Sequence, residues 1–130
     1  MSIGILGKKV GMTQVYDSKG VLHPVTVIEA GPCTVTQVKN NETDGYNAIQ
    51  IGYKEIKANK LSKPELGHLN KNNLKPVVHL KEFRLEESEL KQVGDVLDVT
   101  IFTEGQAIDV SGKSIGKGFV GTVARWGFAI

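Results

Sequence analysis

The sequence predicts a mainly β protein: a small antiparallel barrel with one short helix near its C-terminus. Three observations carry that expectation. Short runs rich in β-branched residues recur along the 130 residues, each closed by glycine, proline or polar turn residues. Within the runs apolar residues alternate with a period of two, and no long helical period stands beside them. Such strands build a barrel or a sandwich, and a closed or partly closed barrel is favoured because closure removes the unpaired edges that so many short strands would otherwise leave.

The elements follow in order. Residues 10–16 (VGMTQVY) form a first strand and end in the turn composition Asp17-Ser-Lys-Gly20. Residues 21–30 (VLHPVTVIEA) form a second, in which Pro24 requires an edge position or a strand start, because proline donates no ladder hydrogen bond. Gly31-Pro32 punctuates the chain before a third strand over 33–39 (CTVTQVK). A polar loop, NNETDG, ends in the hairpin signal Asp44-Gly45 and leads into a strand over 46–53, with Ile49, Ile51 and Tyr53 on one face. Between Lys54 and Lys75 the alternation breaks, which predicts a basic excursion with at most one short helical turn. Residues 77–83 read as a strand and 86–91 as a helical turn. Residues 95–102 (DVLDVTIF) alternate cleanly, Glu104-Gly-Gln106 turns the chain, and residues 107–110 form a last strand. Leu97, Val99, Ile101, Ile108 and Val110 are therefore expected to line one interior with Ile49 and Ile51. Residues 122–126 make the short helix.

Length predicts a single domain over 1–130. No apolar run approaches the ~20 residues of a membrane helix, and the N-terminus has no signal-peptide pattern. Cys33 is the lone cysteine, so no internal disulfide forms, and after Gly31-Pro32 in a β-rich run it reads as a small buried hydrophobe. The net charge of +2 conceals segregation: residues 86–109 hold seven acids against Lys91 alone, whereas residues 110–130 hold Lys113, Lys117 and Arg125 with no acid.

Residues 113–121, KSIGKGFVG, contain Gly116-x-Gly118-x-x-Gly121, a pattern of dinucleotide-binding folds. That reading fails on context, because only nine residues follow Gly121, none of them acidic, and a crossover helix and second strand do not fit. A phosphate-cradling loop needs glycine five positions before Gly112, where Ala107 stands. His23, His68 and His79 lie in separate segments without metal-ligand spacing, so neither a catalytic nor a metal site is assigned, and no cofactor. A third reading assigns the glycines to close approach of an RNA backbone, with lysines and main-chain N–H groups facing phosphates. It makes Lys113, Lys117, Gly118, Arg125 and Trp126 the candidate RNA-contacting residues, Gly116 assisting, with Lys8, Lys9, Lys71 and Lys75 extending a basic surface toward Lys81 and Arg84. Trp126 fits either base stacking or the core, whereas Phe119 is expected in the core. Glu86, Glu87, Glu89, Asp95, Asp98 and Glu104 are expected to face solvent or protein, away from RNA.

GILGKKVGMTQVY, VTVIEAGPCTV, DGYNAIQIGY and VGDVLDVTIFTEGQAIDVSGKSIGKGFVGTVARWGF, in this order, resemble the bacterial-type ribosomal protein L-three family of the large subunit. The resemblance runs from Ile3 to Phe128, and the middle, KPELGHLNKNNLKPVVHLKEFRL, is most similar to the cyanobacterial and plastid branch. It implies a non-enzymatic protein with a translation-protein-type barrel. Such a protein binds large-subunit ribosomal RNA near its three-prime end, nucleates assembly beside neighbouring ribosomal proteins, and takes no membrane or small-molecule partner. Its place is the ribosome of a bacterial cytoplasm or plastid stroma. The family continues past this point into a basic extension toward the peptidyl-transferase centre. The chain is therefore expected to be the N-terminal portion, truncated at the root of that extension, about 111–130. The competing readings are a small β-barrel nucleotide binder and a protein-interaction module using the acidic face.

Overall fold

The computed structural model describes residues 3–86 and 91–129. β1 (Gly7–Tyr16) and β2 (Leu22–Ala30) pair antiparallel as a two-stranded ribbon. Asp17 builds the turn between them: its Oδ1 accepts the Lys19 and Val21 N–H groups at 2.8 and 2.9 Å, and Gly20 takes the left-handed φ of 78° that the turn requires. These bonds, that from Val21 foremost, hold the Asp17 carboxyl below its usual range. Pro24 stands opposite Gln14 in this ribbon, where each strand is an edge, as a mid-strand proline demands.

β3 (Cys33–Lys39), β4 (Ala48–Glu55), β5 (Val77–Arg84) and β6 (Val96–Leu97) form a second antiparallel sheet in the order β5-β4-β3-β6. The β3–β4 hairpin closes through a helical turn, α1 (Asn41–Asp44), that ends at Gly45 with φ 80°. One face of this sheet is apolar. Cys33, Val35, Ile49, Ile51 and Tyr53 are buried there with Leu85 and Leu97, and the N-terminal Ile3, Ile5 and Leu6 pack against them. The period-two placement of Ile49, Ile51 and Tyr53 thus set the core face as the sequence indicates.

The opposite face carries a helix. α2 (Lys63–Asn70) follows a 3-10 turn at Ala58–Lys60 and buries Leu69. Its anchorage is polar as well as apolar. His68 Nε2 lies 2.8 Å from Gln50 Oε1, and Asn72 Nδ2 donates to the Thr36 carbonyl at 3.0 Å. On the same face Gly52 of β4 leaves room for the side chains of the flanking strands, since a Cβ there would stand 2.7 Å from Val77 Cγ2 and 3.0 Å from Thr36 Cγ2.

Several expectations need correction. Among the described residues the strands make two sheets, with no closed barrel, because no ladder joins the β1–β2 ribbon to the larger sheet. The strand expected over 95–102 stops at Leu97. Asp98 Oδ1 accepts the Val99 N–H at 2.7 Å, and Ile101 N–H bonds back to the Asp98 carbonyl, so a 3-10 turn over Val99–Ile101 replaces the ladder. Residues 107–110 form no strand, and of the five apolar residues assigned to the interior only Leu97 is buried, at 4% exposure; Val99 and Ile108 are 51% and 54% exposed. The 54–75 excursion holds a two-turn helix, not a single turn. Its signal was the Ser62-x-x-Glu65 capping box with Pro64 in the first turn. The helical turn expected over 86–91 falls mostly on 87–90, outside the described residues, as do Glu87 and Glu89.

Candidate nucleic-acid interface

The glycine- and lysine-rich stretch lies in a long segment, 102–121, that has no strand or helix of its own. Lys113, Ser114, Gly116 and Lys117 are all exposed. Gly118 takes φ 69°, a conformation in which a branched side chain is strained, and a Cβ built there meets nothing within 4 Å. The segment ends in α3 (Thr122–Trp126), the short helix where the sequence places it, closed by Gly127 at φ 69°.

The side chains here point outward. Phe119 is fully exposed, which corrects its expected place in the core: it sits in the irregular 102–121 segment, where among the described residues no strand or helix packs over it. Trp126 is 70% exposed, and the Arg125 guanidinium lies 5.5 Å from its ring centroid. An exposed aromatic ring with a cation against it, on a stretch that also carries Lys113 and Lys117 and has no acid after Asp109, offers groups that can take stacked bases and phosphates.

The other sequence-derived candidates are spread over the molecule. Lys8 and Lys9 lie exposed on β1, and Lys8 stands opposite Glu29 in the ribbon. Lys71 caps the C-terminal end of α2. Lys75 is 2.8 Å from Glu55 Oε1, so part of its charge is answered within the chain. Lys81 is exposed on β5, while Arg84 lies over the Tyr46 ring at 5.0 Å from its centroid. Tyr46 also joins a tight polar group: its hydroxyl accepts from Lys39 Nζ at 2.8 Å and donates to Glu82 Oε2 at 2.9 Å, and Lys39 Nζ pairs with Glu82 Oε1 at 2.7 Å.

The histidines occupy structural positions. His23 lies 3.3 Å from the Asp17 carboxylate, His68 contacts Gln50, and His79 stacks on Tyr53 with ring centroids 6.5 Å apart. Cys33 is fully buried, its Sγ bonded to the Leu6 carbonyl at 3.4 Å, and burial pushes its thiol above the usual range, which is the opposite of a reactive cysteine. Among the described residues no three His, Cys, Asp or Glu side chains gather to hold a metal ion.

An antiparallel β scaffold is followed by a basic stretch, 110–128, that holds no acid and leaves its aromatic rings exposed, the composition of a nucleic-acid-binding surface. Comparison with known proteins narrows that reading. The family model "Ribosomal protein L3" matches residues 77–129. The large ribosomal subunit protein uL3 of Rippkaea orientalis is 54% identical over 98% of this chain and 61% of its own length. The corresponding protein of Synechocystis is 55% identical over 98% of this chain and 61% of that protein. The uL3c protein of Guillardia theta is 53% identical over 98% of this chain and 63% of that protein. The chain is similar to these ribosomal proteins over 98% of its own length, and it spans about three fifths of theirs.

Proposed function

We propose that this chain is a non-enzymatic, structural constituent of the large ribosomal subunit, at work in a bacterial cytoplasm or a plastid stroma. Its partners are large-subunit ribosomal RNA, bound directly near the three-prime end, and neighbouring large-subunit proteins. It helps nucleate subunit assembly. Residues 1–130 act as one domain, with about 111–130 as the root of an RNA-penetrating extension.

One observation carries the reading: residues 111–128 expose Lys113, Lys117, Phe119, Arg125 and Trp126 together, on main chain that no ladder ties to the sheets. Apolar rings and cations left this open on one segment suit a partner that offers both flat bases and phosphates. The relatives' names, each a large ribosomal subunit protein, support the same partner.

The test is salt-dependent binding to a large-subunit ribosomal RNA transcript. Replacing Lys113 and Lys117 with alanine should weaken binding to all RNA alike and make the slope of log affinity against log salt shallower by about 1–2 units. Gly118→Val keeps the charge but strains a φ of 69°, so affinity should fall with little change in slope. ATP and NAD titrations run beside it. Nucleotide binding by the parent, with RNA affinity indifferent to all three changes, would overturn the proposal.

A further inference from the structure

The outward face of α2 offers a second cationic surface. Lys63 and Lys71 stand four residues before and four after Gly67, one helical turn on each side, so the three share a face. Leu69 lies on the other side and is buried. Gly67 is the unexplained residue. Glycine inside a helix is destabilising relative to alanine, and a Cβ at Gly67 would meet nothing within 4 Å. Its backbone is helical, so no left-handed φ demands glycine either. Nothing within the described chain accounts for it, whereas close approach of another molecule's backbone does.

Charge says what that molecule is. Residues 54–75 carry Lys54, Lys57, Lys60, Lys63, Lys71 and Lys75 against two acids. Both acids are engaged inside the excursion: Glu55 pairs with Lys75 at 2.8 Å, and Glu65 Oε2 accepts the Ser62 N–H and hydroxyl at 2.9 and 2.7 Å. The capping box also occupies the helix N-terminus, leaving the lysine-flanked face as the place for anions. The helix is anchored to the sheet by hydrogen bonds from His68 on α2 to Gln50 and from Asn72, just past its C-cap, to Thr36.

We propose that the Lys63–Gly67–Lys71 face of α2 docks a ribosomal RNA sugar–phosphate backbone, with Gly67 kept bare so that the backbone can lie against the helix. The two lysines bind phosphates as point charges without reading sequence. This rests on the ribosomal reading above and adds a contact distinct from residues 111–128.

The experiment uses the full chain and a large-subunit ribosomal RNA transcript, with Gly67→Ala, Gly67→Leu and the pair Lys63→Gln with Lys71→Gln. Gly67→Ala should raise the melting temperature yet weaken RNA binding several-fold, and Gly67→Leu should weaken it further. The lysine pair should make the salt slope shallower by about 1–2 units. If all three bind like the parent while the Lys113 and Lys117 changes weaken binding, this face is not an RNA contact and the ribosomal reading stands. If the parent itself binds no RNA, both readings fall together. A lower melting temperature for Gly67→Ala would show that the glycine serves the fold. Competition by poly-glutamate as effective as RNA would assign the face to an acidic protein. Either result overturns the proposal.

Discussion

Thr36 is 1% exposed, and it sits where the β3–β4 register slips. A bulge leaves one residue without a ladder partner, so its polar groups must be satisfied otherwise. Its hydroxyl donates to Gln50, whose carbonyl and Oε1 lie 3.1 and 2.9 Å away, and its carbonyl accepts from Asn72. One residue thereby links two strands and the turn that follows α2. Its neighbours make the apolar core, and there side-chain volume decides stability. Ile51 is fully buried, so Ile51→Ala should cost ~2–4 kcal/mol in chemical unfolding. Val99 alternates in the sequence as convincingly, yet it is half exposed, so Val99→Ala should stay within ~0.5 kcal/mol. Equal losses at the two positions would restore the interior that the alternation predicts beyond Leu97.

At the scale of elements, the Lys39–Tyr46–Glu82 group ties β3, the entry to β4, and β5 across one end of the sheet. The Lys39 ammonium first, and the Tyr46 hydroxyl second, hold the Glu82 carboxyl below its usual range. A carboxyl more acidic in the folded than in the unfolded chain stabilises the fold above its unfolded pKa. That contribution is lost as pH falls through the lowered folded value. Glu82→Gln should therefore lower the melting temperature at neutral pH, and the difference from the parent should vanish in acid below the carboxylate range. A difference that persists there would assign the effect to packing. The strands of this sheet were legible because their period-two pattern faces a real interior; Ile49, Ile51 and Tyr53 are the clearest case. α2 was obscured because Gly67, Pro64 and the polar residues around them blur a helical period, while the capping box that announces it is only four residues long. The apparent strand after Asp98 was misleading because alternation reports which residues could share a face, whereas the Asp98 side chain decides that the backbone turns.

At the scale of the whole molecule the charges are sorted along the chain. The described acids of the 86–109 block, Glu86, Asp95, Asp98, Glu104 and Asp109, are all exposed, and the basic segment follows directly. This sorting was visible in the sequence, as were the cations and rings of residues 111–128. The outward face of α2 was not, because Lys63, Gly67 and Lys71 become neighbours only once the helix is known. Asp95 and Asp98 also serve the fold, accepting the Gln92 and Val99 N–H groups at 2.9 and 2.7 Å, so replacing them would confuse structure with charge. Glu104 sits in the turn before the basic segment and is the cleaner probe. If the acidic block faces away from RNA, Glu104 acts on it only through the long-range field, which salt screens over ~10 Å at 0.1 M. Glu104→Gln should then raise RNA affinity at low salt and converge with the parent at high salt. Any change in slope should stay well below the roughly one unit that losing a phosphate contact would produce. An acid that instead bridged a metal ion to phosphate would behave in the opposite way. Its replacement would weaken binding and remove part of its magnesium dependence, and that result would place the acidic face against RNA.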